Sequence, residues 1–364
     1  MKKIAIIISI ILVVIVAIMG VDYTVENVTP LEDEVTETQV TEPVVVDDST
    51  YIAITEVGDC TLGTDTNYGG VTSFESEMIN QNYDYSHFLS LVKPFFEVDD
   101  LTIVNFEGTL SNRGERQTKE YTFRANPEYA KILTTSSVEA VNLANNHTYD
   151  FGESAFSDTK KTMDENGIIW FEGKNYAITE VKGIKVGLIG TNGLTSAGRN
   201  QFPKIIEKVK SEGAQLTIAS FHWGEERVYT PTETQIALAH SAIDNGADLV
   251  LGHHPHVLQG IEKYKGKYIV YSLGNFCFGG HKNPPDKDTM IFRQIFRFVD
   301  GQIMSDYDNA QIVPCSISSV ADRNNYQPMP LVGDEFGRVK SKILELSAGF
   351  SGIDSVQILE NMML

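Results

Sequence analysis

Residues 216–256, LTIASFHWGEERVYTPTETQIALAHSAIDNGADLVLGHHPH, decide the fold class. An apolar run, Leu216-Thr217-Ile218-Ala219-Ser220-Phe221, ends on His222. A helical stretch over about 231–245 follows, and a second short run, Leu249-Val250-Leu251, ends on Gly252-His253-His254. Short apolar runs bounded by turn residues predict strands, and a helix between two of them predicts a βαβ unit. The pattern recurs outward in both directions, with strands predicted at 51–57, 101–106, 140–144, 184–189 and 268–272. Further helices are predicted at about 124–136, 153–166 and 201–212. Alternation of this kind gives an α/β fold built around sheets. The strands end at Gly58-Asp59, Glu107-Gly108, Asn145-Asn146-His147, His222 and Gly252-His253-His254. Ligand sites of open α/β sheets lie beyond the carboxyl ends of the strands, so these polar residues are expected to converge.

The chain has 364 residues, 42% of them hydrophobic, enough for one large α/β domain or two ordinary ones. Asp and Glu outnumber Lys and Arg 49 to 29, for a net charge of -20. A nucleic-acid binder needs clustered cations to neutralise phosphates, so no nucleic-acid partner is expected. The three cysteines, Cys60, Cys277 and Cys315, lack CxxC spacing, which argues against a zinc ribbon or a thioredoxin-like motif.

Lys2 and Lys3 precede an uncharged apolar run over residues 4–21. Its length is close to the ~20 residues needed to span the hydrocarbon core. The two lysines put the N-terminus in the cytoplasm and the domain outside the cell membrane, as a single-pass protein. The sequence Ile18-Met19-Gly20-Val21-Asp22 is a poor cleavage site, which favours a retained anchor over a cleaved leader. Residues 22–50 carry many acidic side chains and no Lys or Arg, and read as an extended linker. The folded domain is expected over 51–300, with residues 301–364 as an extension completing it through extra strands and a helix near 335–347.

The residues that carry chemistry are Asp59, Glu107, Asn146, His147, Asp150, His222, His253, His254 and His256. The chain has eight histidines, and five fall in this set. A lone histidine at a strand end is usually a structural residue, but five together change that balance. Carboxylate, amide and imidazole donors in one place suit one or two divalent transition ions, Zn, Mn or Fe. In His254-Pro255-His256 a turn can aim both imidazoles at one ion. In Asn146-His147 with Asp150, the amide oxygen can ligate while the carboxylate orients the imidazole and raises its pKa. A histidine so placed serves as a general acid.

These motifs, in this order, resemble the CapA (PgsA-type) poly-γ-glutamate capsule biosynthesis proteins, a branch of the calcineurin-like metallophosphoesterase superfamily. The resemblance covers about residues 52–278. It is carried by Gly58-Asp59-Cys60-Thr61-Leu62-Gly63, Asn105-Phe106-Glu107-Gly108, residues 142–150, Phe221-His222-Trp223-Gly224, residues 252–260 and Ser272-Leu273-Gly274-Asn275-Phe276. It implies a four-layer α/β/β/α sandwich with a metal centre at the strand ends. By position, Asp59, Glu107, Asn146, His222, His254 and His256 resemble metal ligands. His147, supported by Asp150, resembles the acid of a metal-assisted hydrolysis. His253 is an alternative to His254, because the register of the turn is open. The implied partners are an anionic surface polymer such as poly-γ-glutamate, other membrane proteins of capsule synthesis, and the membrane itself through the N-terminal helix.

Two departures bear on activity. Superfamily members carry Asp-x-His at the first strand, whereas Thr61 stands here two residues after Asp59. Glu107 replaces the usual bridging aspartate and moves its carboxylate out by one methylene. Both weaken one half of a two-ion site, so a non-catalytic, metal-containing scaffold or polymer-binding component is the alternative to a hydrolase. Arg113, Arg116, Lys119 and Arg124, in the polar stretch after the second strand, are the candidates for binding an anionic substrate, against the plain reading of a solvated loop.

Overall fold

The computed structural model describes residues 48–68 and 70–360. The predicted membrane segment and nearly all of the acidic linker lie outside the described residues. Among the described residues no helix is long and apolar enough to cross a membrane.

The strands that position the site are β1 (Thr50–Thr61), β2 (Leu101–Phe106), β3 (Ala140–Asn142), β4 (Ile184–Asn192), β5 (Leu216–His222), β6 (Leu249–His253) and β7 (Asn275–Phe278). Two more, β8 (Asp288–Val299) and β9 (Asn309–Ser316), follow. A ten-stranded mixed sheet has β1 near its middle, parallel to β2 and then β3 on one side, and antiparallel to β8 and then β9 on the other. A six-stranded sheet runs β4, β5, β6 in parallel order. The central strands β2 and β5 are buried along their whole length, as parallel strands covered on both faces must be.

Side-chain alternation along these strands sorts the core into three parts. Leu101 and Ile103 of β2, Leu216 and Ile218 of β5, and Leu249 and Leu251 of β6 share one cluster between the two sheets. Val104 and Phe106 face the other way, against helix α1 (Gly152–Glu165) and the short helices Phe74–Asn80 and Ala130–Thr134. Ala219 and Phe221 face helices α2 (Ser196–Ser211) and α3 (Glu233–Asp244) on the far side of the second sheet. Thr232 caps α3 in a capping box with Gln235, which fixes where that helix begins. Helix α4 (Gly333–Ser347) sends Val339 and Ile343 into the inter-sheet cluster, and β9 pairs along β8, so residues 301–360 are woven into the fold.

Several elements differ from the sequence expectation. The predicted helix at 124–136 is a two-residue strand Arg124–Ala125, a 3-10 turn Pro127–Tyr129 and a short helix Ala130–Thr134, because Asn126-Pro127 caps and restarts the chain there. The first strand does not stop at Asp59 but continues to Thr61 through a register shift against β2 between Val57 and Asp59. The three cysteines are free and buried.

Candidate metal centre

Strand parity explains which side chains meet. In β1, Ile52 and Ile54 face the second sheet, and Glu56 follows the same alternation. The bulge at Gly58 then changes the phase, so that Asp59 pairs with Asn105 of β2 and joins the inter-sheet side. A Cβ on Gly58 would lie 2.1 Å from the carbonyl oxygen of Gly274, so only glycine lets β7 approach here. In β6 the parity of Leu249 and Leu251 carries His253 into the same space.

That parity turns His253 towards Glu56 and Asp59, while the candidate ion-holding group takes in His254. Nε2 of His253 donates to Oε1 of Glu56 at 2.7 Å, and Nδ1 stands 3.5 Å from Oδ1 of Asp59. Burial works to lower its pKa, but Asp59 and Glu56 prevail and push it up to about 9. Against burial, Glu107 and Asp59 push His256 up to about 9 in the same way. What sets His253 apart is that both its ring nitrogens face carboxylates, so it braces Asp59. Burial raises Glu56, against hydrogen bonds from His253 and Ser220. Glu56 is a residue the sequence reading missed, as it looked like one more residue of an alternating strand.

Asp59, buried, accepts Nδ2 of Asn105 at 2.7 Å and the backbone N–H of His254 at 3.2 Å. Nδ1 of His256 lies 3.1 Å from Oδ2, the oxygen that takes the His254 N–H. Against the upward pull of burial, His253 and His256 hold its carboxyl well below the usual range. Asn105 is itself held by Nδ2 of Asn142 at 2.9 Å. Asn275 fixes the ring of His256, accepting its Nδ1–H at 2.9 Å and donating to its carbonyl at 3.2 Å. The sequence reading gave Asn275 no chemistry; its role follows from β7 lying beside Asp59.

Glu107 is the centre of the arrangement. Both its carboxylate oxygens are buried and have no hydrogen-bond partner, and Nδ1 of His254 is buried and unpartnered too. Around Oε1 stand Nε2 of His147 at 3.6 Å, Nε2 of His222 at 3.7 Å and Nε2 of His256 at 4.0 Å. These spacings are too long for hydrogen bonds. For His222 and His256 they fall below the limit of about 4.2 Å for two atoms each about 2.1 Å from one ion. Donor atoms of Glu107, His254 and His256 all lie within 4.8 Å of one another. Nε2 of His222 is 2.6 Å from Oδ1 of Asn146, so the amide meets the same group. A buried, unsatisfied carboxylate is costly, and burial pushes Glu107 up to about 8, with Asp59 adding to the rise and His256 opposing it. Burial, with the other imidazoles, holds His222 well below its ordinary value and His254 at about 4, so both rings are neutral at neutral pH. The residues present fit a divalent transition ion in donor type, burial and unsatisfied valence.

His254 and His256 both adopt positive φ, 94° and 56°, rare for non-glycine residues. The hydrogen bonds to Asp59 and Asn275 hold the turn in this conformation, which aims both rings inward.

His147 lies at the edge of the group. Nδ1 donates to Oδ2 of Asp150 at 2.7 Å, and the ring lies against Phe123 with centroids 4.3 Å apart. Asp150 also takes Nζ of Lys119 at 2.7 Å and the backbone N–H of Phe123 at 2.6 Å. The expected rise in the His147 pKa is overturned: burial lowers it and outweighs the opposing pull of Asp150. Lys119 also donates to the carbonyl of Asn146 at 2.9 Å, so it ties the acid to the amide and is not available to substrate.

Arg113, Arg116 and Arg124 are not brought to this site. Arg113 pairs with Asp158, and Arg116 with Asp65 at 2.8 Å. Arg124 donates to the carbonyls of Arg113 and Gly114 and covers the ring of Phe151. Arg124 closes the loop after β2 on itself, while Arg113 and Arg116 tie it to α1 and to the segment after β1. The cleft that opens onto His147 and His256 is instead lined by Tyr121, Phe123, Arg227, Tyr229, Phe278 and His281.

The family model described as Bacterial capsule synthesis protein PGA_cap matches residues 53–280. PGA biosynthesis protein CapA of Bacillus subtilis (strain 168) is 30% identical over 226 residues, covering 56% of this chain and 59% of that protein. Capsule biosynthesis protein CapA of Bacillus anthracis is 29% identical over 272 residues, covering 67% of this chain and 64% of that protein. The chain thus matches about three fifths of the length of these relatives. A solved structure, of a hypothetical protein from Thermus thermophilus, covers 72% of this chain and 98% of its own at 15% identity and a TM-score of 0.43, a likeness that assigns nothing. The family match takes in more than half of the chain and every strand end that meets at Glu107, and the chain therefore belongs to the bacterial capsule synthesis protein family PGA_cap.

Proposed function

We propose that this protein is a metal-dependent hydrolase of capsule synthesis or export, acting on an anionic surface polymer such as poly-γ-glutamate. The names of its Bacillus relatives support that setting. In this reading residues 4–21 anchor the chain, the domain works on the outer face of the membrane, and other membrane proteins of capsule synthesis are its neighbours. The helix–sheet–sheet–helix layering is read as a metallophosphoesterase-like four-layer sandwich.

One observation carries the proposal: a buried Glu107 carboxylate with no partner, whose oxygens lie within reach of His222, His254 and His256 and beside the ring of His147. Asp59, Glu107, Asn146, His222, His254 and His256 would hold one or two ions, and Thr61 in place of the first-strand histidine favours one tight ion. When bound, Zn, Mn or Fe supplies Lewis acidity to an oxygen of water or substrate. His147 moves the proton. Its Nδ1–H is committed to Asp150, so Nε2 carries the lone pair at neutral pH. Nε2 takes the proton of the attacking water and returns it to the leaving group. Lys119 and the Phe123 N–H hold Asp150 in place for this.

Thr61 is the observation that favours the second reading, a metal-containing polymer-binding component. Elemental analysis of the full chain in detergent, beside His222→Ala and His256→Ala variants, tests the centre. About one or two equivalents of a transition ion, lost in the variants, is the expected result. A folded wild type that takes up no ion would sink both readings of the centre. Metal bound without turnover of any polymer would leave the second.

A further inference from the structure

The cleft over the metal group contains a cation that the fold does not use. Every other arginine among the described residues is held by a carboxylate, a carbonyl or a hydroxyl, including Arg199, Arg293, Arg297, Arg323 and Arg338. The exposed side chain of Arg227 has no hydrogen bond and no ion pair among the described residues, while its backbone is held in place. Its backbone adopts φ 62°, and its N–H donates to the carbonyl of Pro255 at 2.8 Å. The guanidinium is thereby mounted on the turn that carries His254 and His256. The following residues are pinned as well: Nε2 of Gln259 donates to the Val228 carbonyl at 2.7 Å, and the Tyr229 hydroxyl donates to Asp286 at 2.8 Å.

His281 also lines this cleft. Its Nδ1 accepts the N–H of Asn283 at 3.0 Å, which leaves Nε2–H as a free donor. Burial first, and then the charges of Arg227 and Lys282, hold its pKa below the ordinary value, so it is a neutral donor. Two carboxylates share the wall. Asp286 is already neutralised by Lys342 at 2.7 Å. Glu226 makes no ion pair with Arg227, and its charge acts on Glu107, His254 and His256.

We propose that Arg227, with His281 beside it, is the subsite that reads one carboxylate of a polymer segment lying across His147 and His256. The inference rests on the functional reading above and adds the residue that recognises the substrate. One planar guanidinium with one imidazole N–H matches a single carboxylate, which accepts a forked pair of hydrogen bonds. A polyphosphate would need several cations, and this cleft in a chain of net charge -20 does not offer them. The rings of Tyr121, Phe123, Tyr229 and Phe278 provide apolar walls for the methylenes between successive carboxylates.

The test is binding of a defined γ-linked glutamate oligomer to the full chain in detergent, with metal content measured on the same samples. Arg227→Met is expected to weaken binding at least 10-fold, about 1.4 kcal/mol, with metal content unchanged. Arg227→Lys is expected to fall between, and Arg113→Met to bind as the wild type does. Unchanged binding in Arg227→Met, or a metal-loaded wild type that does not bind the oligomer, overturns the subsite. A wild type that binds through Arg227 but holds no metal would keep the subsite and sink the metal reading. Should Arg227→Met fail to fold, Arg227→Lys with the salt dependence of binding decides: an unchanged Kd and salt slope overturn the proposal.

Discussion

Glu107→Gln should stabilise the metal-free protein above neutral pH while abolishing its metal binding. Burial holds the folded-state pKa of Glu107 at about 8, against an ordinary 4.5 in the unfolded chain. Between those values the folded protein carries a proton that the unfolded chain has released. Stability then falls as pH rises, by about 1.4 kcal/mol per unit for this group. From pH 5 to pH 8 the sum approaches roughly 4 kcal/mol, a large part of a domain's total stability. His222, His254 and His147 have depressed values and contribute the opposite slope below about 6.5, whereas His253 and His256, raised to about 9, add a falling slope above it, so the comparison must be a difference between wild type and variant. The assay is urea unfolding of both proteins in a chelator at several pH values, repeated with added Zn. The variant should gain on the wild type steadily from pH 5 to pH 8. Zn should restore the wild type at pH 8 and leave the variant unmoved. Curves that run parallel across this window would refute the reading of Glu107 as an orphaned, metal-seeking carboxylate.

His147→Asn should reduce turnover of a susceptible polymer by about 10²–10⁴-fold with metal content retained; equal loss of metal would make His147 a ligand instead. Wild-type turnover should decline as pH falls through the depressed pKa of His147, because protonation removes the Nε2 lone pair, and a pH–rate profile reads this directly. Glu56→Gln should weaken metal binding by about 10–100-fold by releasing His253 from its brace on Asp59, without touching the ion; competition with a chromophoric chelator measures it. Gly252→Ala should destabilise the fold by at least ~2 kcal/mol, since its Cβ would lie 2.0 Å from the Tyr271 carbonyl oxygen and 2.6 Å from Nε1 of Trp223. A cooperative melt at the wild-type temperature would contradict that close packing.

Much of the site could be read from the sequence because each ligand sits at the end of an apolar run. His222 and Asp59 stand where β5 and β1 deliver their side chains, and short runs of Leu, Ile and Val are strong strand signals. The choice between His253 and His254 was hidden, since it depends on which face Leu249 and Leu251 present, and that is set by the other sheet. Glu56 was hidden for the same reason: a glutamate in an alternating strand reads as solvent-facing until the second sheet covers it. The arginines of the loop after β2 misled because charge spacing does not reveal pairing; Asp158 and Asp65, which take two of them, lie 45 and 51 residues away in the chain. Arg227 gave no local signal, because its place in the cleft comes from one hydrogen bond to Pro255.

The donors that meet at Glu107 come from both sheets: Asp59, Glu107 and Asn146 follow strands of one, and His222, His254 and His256 follow strands of the other. Asp59 and His254 are joined across 195 residues of chain. Neither half of the polypeptide holds all the donors, so the full centre exists only when the two sheets meet. Loops this long close slowly, so completion of the full donor set is expected to follow the docking of the sheets. Once held, the ion would act as a rivet between them, and the rate at which it escapes would report how often the two sheets part.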